Sequence, residues 1–310
     1  MKKRLLFVFS ISIMLLMSAC GKVAVSDNEQ TIEPILSVEI EATDEMIESI
    51  EIIETIEIAE TTEAISEMET TEIEQSSVDN AITEPIFIRM ENPSWERYTA
   101  EDKLTGTKPF GMKLLEESTN NITDTDEWFV NNDLQLNGNS NEEEYGCYID
   151  YDGVIVCITK GGEVIAELEF SEYMYAPDLV EADRDFVDER VRDAKINDGI
   201  LYVSISHLTY AESAPSNAYI TAISLEDYSV IWKSEPLVCN AYNFEIVDDI
   251  IFTGYGFTAE PDYLFQLDRL TGCVLEQYKI DSRADYIIYK DEKLYVRTYN
   301  TDYVFEVEKQ

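Results

Sequence analysis

Histidine is almost missing from this 310-residue chain, where His207 stands alone. A multi-histidine metal site is thereby excluded, and a serine or cysteine nucleophile would have a single candidate base. His207 sits in Ser204-Ile205-Ser206-His207-Leu208, where a satisfied loop histidine is the simpler reading. No nucleophile elbow, phosphate-binding loop or dinucleotide glycine pattern accompanies it. Basic residues are scarce too, 22 against 64 acids for a net charge of −42. Such a field repels phosphate backbones and anionic lipid surfaces, which disfavours nucleic acid as a partner and leaves cations, basic proteins or neutral glycans. No uncharged run reaches the roughly 20 residues that span a bilayer.

What the N-terminus does contain is a leader. Met1-Lys2-Lys3-Arg4 precedes an apolar run from Leu5 to Met17, broken only by Ser10 and Ser12, and then the small pair Ser18-Ala19 before Cys20. Charged, apolar and small residues in that order make a signal peptide over residues 1–19. Met17-Ser18-Ala19-Cys20 resembles the lipobox of bacterial lipoproteins, in which the cysteine is acylated and becomes the new N-terminus. The resemblance implies palmitate-type chains on Cys20 and an extracytoplasmic chain tethered to the cell membrane. Two or three chains anchor stably, since each buried methylene contributes about 0.8 kcal/mol and one chain alone is marginal.

Aromatic residues are absent from Lys22 to Pro85, where nineteen acids face one lysine. A segment of that kind cannot bury enough apolar surface to offset its ordering entropy, so residues 20–85 are expected to form an acidic, disordered spacer. Glu48, Glu51, Glu54, Glu57, Glu60 and Glu63 recur every third residue among Ile47, Ile50, Ile53 and Ile56. A three-residue repeat lags the helical period of 3.6, so the isoleucine stripe would wind around a helix without settling on one partner. The composition looks like that of spacers in Gram-positive surface lipoproteins.

Residues 86–310 are long enough to bury a core and read as short β-runs. One helical candidate lies at Pro177 to Ala194. A hairpin pattern recurs around Asp198-Gly199, Asp248-Asp249 and Asp291-Glu292, each followed by a short strand beginning at Tyr219, Tyr263 or Tyr303. Asn, Asp and Gly tolerate the backbone angles of a tight turn, and a spacing of 43 to 50 residues suits four-stranded propeller blades. An earlier, shorter unit runs from Tyr148 through Asp152-Gly153 to Val156 and on to Ile165. The expected fold is all-β, a propeller-like array of about four or five β-meander repeats, with residues 86–144 adding strands that complete or close a sheet.

Phe265-Gln266-Leu267-Asp268-Arg269-Leu270-Thr271-Gly272-Cys273-Val274-Leu275 resembles the blade motif of quinoprotein-like (PQQ-like) β-propellers. The resemblance implies that Asp268 and Thr271-Gly272 shape a turn between outer strands. Ala222 to Trp232 aligns with it, placing Trp232 where the family packs a tryptophan between blades. Ser224 and Tyr228 depart from the motif, and the unit number falls short of the usual seven or eight.

Candidate chemistry is sparse. Asp124-Thr125-Asp126-Glu127 and Asp150-Tyr151-Asp152-Gly153 could offer oxygen ligands to calcium, but a solvated loop and a turn explain them more simply. Cys147 and Cys157 would be cross-strand neighbours if Asp150 to Val154 closed a three-residue loop; buried free thiols are the other reading. No catalytic, cofactor or metal residue is assigned, and no cofactor is expected. The expected function is a surface-anchored, non-enzymatic binding or scaffold module for a protein or cell-wall partner. The alternative is a hydrolase of a cell-wall or extracellular glycan, which needs two carboxylates about 5 to 10 Å apart in one cleft.

Overall fold

The computed structural model describes residues 84–94, 105–136, 138 and 144–309. The leader, Cys20 and nearly all of the expected spacer lie outside the described residues. Sixteen strands are described, in four sheets of four. Sheet I contains β3 (Tyr145–Ile149), β4 (Ile155–Lys160), β5 (Glu163–Glu169) and β1 (Ile86–Arg89), in that order from the inner edge. Sheet II is β6 (Arg190–Asn197), β7 (Ile200–Ser206), β8 (Tyr219–Ser224) and β9 (Val230–Lys233). Sheet III is β10 (Glu245–Val247), β11 (Ile250–Tyr255), β12 (Tyr263–Asp268) and β13 (Val274–Lys279). Sheet IV joins β14 (Ala284–Lys290), β15 (Lys293–Thr298) and β16 (Thr301–Glu308) to β2 (Gly111–Thr119). The fold is therefore all-β and propeller-like, with the N-terminal strands β1 and β2 completing the first and last sheets.

Stacking explains the sequence pattern. Sheet II lies between two others, so β8 is buried on both faces and reads as the continuous run Tyr219-Ile220-Thr221-Ala222-Ile223. Strand β16 alternates buried and partly exposed residues, with Tyr303, Phe305 and Val307 turned to the core. Three apolar clusters join I to II, II to III and III to IV. Fully burying a leucine or valine such as Leu201 or Val203 contributes about 1.5–3 kcal/mol. The far face of sheet IV is covered by α1 (Thr125–Asn131), whose Trp128 packs with Leu134 on Ile288. Among the described residues no apolar cluster joins sheet IV to sheet I.

The inner strands are stitched together by a repeated polar contact. Asp193 on β6 accepts from the Phe244 amide at 3.1 Å. Asn243, at the same distance from its own hairpin turn, holds both polar backbone atoms of Ile287 at 2.6 and 2.9 Å. Cys147 Sγ donates to Ala194 O at 3.4 Å, at the matching place between sheets I and II. In each case an inner strand, or the residue just before it, receives a side chain from the sheet before it, which fixes the stagger of the stack.

Sheet I runs the other way. The Val191 amide at the start of β6 donates to Gly153 O at 2.9 Å, so the β3–β4 turn meets the beginning of the next inner strand rather than its end. Turns 197–200, 247–250 and 290–293 all lie at the end of theirs. Asp198, Asp248 and Asp291 each adopt φ of 51°, the left-handed conformation expected of these turns. Tyr219 pairs with Ile205 and Tyr263 with Tyr255 at equivalent depth, five residues past Ile200 and Ile250. Tyr303 pairs with Val296, three past Lys293, and is thus on the matching strand and face but two residues nearer the turn.

Two further expectations are corrected here. The Pro177–Ala194 segment is no α-helix: a 3-10 turn covers Glu181–Phe186 and β6 begins at Arg190. The loop after Ile149 is one residue longer than a three-residue closure, because the Asp150 amide donates to Ile155 O. Cys157 consequently pairs with Tyr148 and Cys147 with Ile158, on opposite faces, and no disulfide joins the four described cysteines.

Candidate functional site

Two ends of the stack differ in what builds them. One carries the tight turns 197–200, 247–250 and 290–293, where little backbone is free to vary. The other carries the longer connections 206–219, 255–263 and 279–284, and functional groups concentrate on loops held by a rigid scaffold. On this second end, between sheets III and IV, lies a cleft of about 520 Å³. Phe257, Leu208 and Tyr299 supply its apolar surface, and Asp262, Asp281 and Arg283 its charge.

Each of these side chains has a local cause. Phe257 is propped by an edge-on contact with Tyr210 at 4.8 Å. Its loop is pinned by the buried Asn240, which donates to Gly256 O at 2.8 Å and accepts from the Gly256 amide at 3.2 Å. A Cβ on Gly256 would come within 1.9 Å of Asp262 Oδ1, so a side chain there would displace the Asp262 carboxylate from its place in the cleft. Glu260 closes the same loop, accepting from the Ala211 amide at 2.7 Å and from the Tyr255 hydroxyl. Asp262 and Asp281 come from neighbouring strand ends, because the Ile280 amide donates to Asp262 O at 3.1 Å.

Burial, with Glu260 and Asp281 nearby, pushes the Asp262 carboxyl up to about 6 against the opposing pull of Arg283. The Arg283 guanidinium is paired with Asp285 and lies 5.1 Å from the centre of the Tyr242 ring. On strand β6 of sheet II, outside the cleft lining, Arg190 pairs with Asp188, and Arg192 Nε donates to Ser206 O at 3.2 Å, two residues before Leu208. Arg192 is the extra residue of a β-bulge, since Val191 pairs with Ile205 and Asp193 with Ser204. A bulge of this kind re-aims a side chain out of the ladder. Asp285 occupies the corresponding bulge in sheet IV.

The residues singled out from sequence fall elsewhere. His207 is buried; Nδ1 accepts from the Thr209 amide at 3.1 Å, and burial pushes its pKa down. It precedes Leu208 of the cleft but does not line it. Asp124 is held by Arg297, and Asp126 and Glu127 lie in the first turn of α1. The Asp150 carboxylate accepts from the amides of Val154 and Ile155 at 2.8 Å each, so it shapes a turn. Among the described residues no three His, Cys, Asp or Glu side chains converge as a metal site would require. Sequence reading missed Arg192, Tyr242 and Arg283. The available signal was positional: Arg192, Tyr242 and Asp285 each stand six residues before a hairpin turn, and all are polar.

At the opposite end, Asp268 to Gly272 form a turn, as expected of those residues. Asp268 Oδ1 accepts from the amides of Leu270 and Thr271 at 2.8 and 3.0 Å, and Gly272 has φ of +74°. Trp232 packs onto this turn from sheet II, donating through Nε1 to Arg269 O at 3.2 Å.

No protein-family model matches the chain, and no curated protein matches it. Among solved structures, the computationally designed Ika4 protein is similar over 54% of this chain and 88% of its own, at 11% identity and a TM-score of 0.36. BamB from Moraxella catarrhalis matches over 55% of this chain and 59% of its own, at 10% identity and a TM-score of 0.31. A europium-containing methanol dehydrogenase matches over 54% of this chain and 39% of its own, at 8% identity and a TM-score of 0.35.

Proposed function

We propose that this chain is an extracytoplasmic lipoprotein, anchored to the cell membrane through acyl groups on Cys20, whose four-sheet domain is a non-enzymatic binding module. The observation that carries the binding reading is the cleft between sheets III and IV. It has aromatic walls at Phe257 and Tyr299, a guanidinium at Arg283, and about 520 Å³ of space, within the range of small-ligand sites. Its walls are loops, whereas the sheets beneath them are tied by buried side chains, which suits recognition by a rigid scaffold.

For the anchor, Cys20→Ala should release the protein from the membrane fraction or block its processing. Detergent-dependent membrane association of a fully processed variant would contradict the anchor. For the cleft, the full chain should bind envelope fragments in equilibrium measurements, with Phe257→Ala and Tyr299→Ala each weakening binding about tenfold. Unchanged affinity in both variants would remove the cleft from the reading.

One observation favours a carboxylate hydrolase as a second reading: Asp262, raised to about 6, shares the cleft with Asp281. Two carboxyl groups facing one cleft, one of them held protonated to a higher pH by burial, is the arrangement that glycoside hydrolysis requires. Soluble sugars released from cell-wall material by the full chain, and abolished by Asp262→Asn, would establish it. Wall material left intact by the wild type returns the cleft to binding alone.

A further inference from the structure

Acids outnumber bases almost three to one in this chain, so an arginine should find a carboxylate wherever it points. Of the seven arginines among the described residues, six do: Arg89, Arg184, Arg190, Arg269, Arg283 and Arg297 are each ion-paired. Arg192 is the exception. It is half-buried, its one side-chain hydrogen bond among the described residues runs from Nε to Ser206 O, and none of their carboxylates lies within ion-pairing distance, although Asp188, held by Arg190, is near enough to favour its charge. The groups around it are Tyr242 and two further arginines, Arg190 and Arg283, whose own partners Asp188 and Asp285 are already engaged.

Holding a guanidinium out of water without a counterion is costly, and placing it among like charges adds to the cost. The fold incurs that cost through a bulge that turns Arg192 away from the regular ladder. The two terminal nitrogens of its fork remain to donate in parallel, the geometry that grips two oxygens of one anion.

We propose that Arg192, flanked by Arg190 and Arg283, is an oxyanion-binding site that adjoins the cleft through Arg283, and that the ligand carries a carboxylate or phosphate there. Its apolar part lies against Phe257 and Tyr299. This deepens the binding reading and rests on it, because Arg283 belongs to both the arginine group and the cleft wall. Asp262 and Asp281 also line the cleft, so the body of the ligand meets carboxylates rather than further cations. The site therefore selects a ligand that presents an anion together with a neutral or basic body.

The test is calorimetric titration of the full chain with inorganic phosphate, acetate and citrate at constant ionic strength, with chloride as the reference. At least one of the three should saturate. Phosphate alone would assign the anion to a phosphoryl group, and acetate or citrate alone to a carboxylate. Arg192→Gln should raise the Kd at least tenfold, Arg192→Lys should restore part of the affinity, and the exposed Arg184→Gln should leave it unchanged. Circular dichroism confirms that each variant is folded, with Lys standing in should Gln not fold. No saturation by any anion, or equal Kd in wild type and both Arg192 variants, overturns the site. If that occurs while Phe257→Ala still weakens binding of envelope fragments, the anion site falls and the cleft stands.

Discussion

Glu189→Gln should flatten the pH dependence of stability between pH 5.5 and pH 8, where the wild type should become less stable as pH rises. Glu189 is buried, neither carboxylate oxygen has a partner in hydrogen-bonding geometry among the described residues, and burial pushes its pKa up to about 8. The Lys233 ammonium and the Ala176 amide favour the charged form, while Asp178 and Asp188 oppose it. A carboxyl whose folded pKa exceeds its unfolded value takes up a proton on folding. Its contribution is complete below about pH 4.5 and is lost as pH climbs through about 8. Lys233, lowered by burial to about 8, acts in a separate window: its contribution is present above its unfolded pKa and lost as pH falls from there to about 8. Below pH 8 the slope therefore belongs chiefly to Glu189, with Asp193 and Asp262, each raised to about 6, adding to it at the acid end, and His207, whose pKa burial pushes down, opposing it near and below pH 6.5.

One such group contributes at most about 1.4 kcal/mol per pH unit, so the glutamine variant should gain roughly 3 kcal/mol on the wild type across the window. Denaturant melts of both proteins at pH 5.5, 6.5 and 8 measure it. Parallel lines for the two proteins would show that Glu189 is ionised in the fold.

Gly272→Ala should be strongly destabilising, and its origin can be separated from backbone strain by a control. Gly272 has φ of +74°, and a Cβ there would lie 2.5 Å from the six-membered ring of Trp232. Gly199 has φ of +70° with nothing within 4 Å of the same atom. Alanine at Gly199 should cost about 1–2 kcal/mol for the left-handed backbone alone. At Gly272 displacement of the indole from the Arg269 carbonyl adds overpacking, for a total of about 2–4 kcal/mol and a fall in Tm of roughly 5–15 °C. Equal losses at the two glycines would mean that Trp232 is free to move and is no fixed contact between sheets II and III.

The contrast between those glycines shows how the fold was legible. Tight turns are written locally, so Asp198-Gly199 and Asp268 to Gly272 could be read from residue type, and Trp232 followed from its place relative to the second. The depth of Tyr303 was not legible, because the 298–301 connection is too short to place the tyrosine at the strand's first residue. Nor was the reversal of sheet I: a β-meander has the same alternation in either direction, and only the contact of Gly153 with Val191 sets its sense. Helix α1, with seven residues, is shorter than the window in which helical periodicity can be seen. The cleft was invisible for a different reason. Its residues come from connections 206–219, 255–263, 279–284 and 298–301, and nothing in any one of them reports the others. Arg192 was hidden by its surroundings in sequence, Arg190 to Asp193, which look like ordinary charged surface until the missing carboxylate is noticed.

The central claim, that the chain binds a ligand in the cleft between sheets III and IV, is tested most directly by hydrogen–deuterium exchange on the full chain with and without soluble envelope fragments. Protection should appear in 255–263, 279–284 and 298–301 and around Arg192, with turns 197–200, 247–250 and 290–293 unchanged. Protection confined to those tight turns or to the outer face of sheet I around Phe87 and Tyr148 would contradict it.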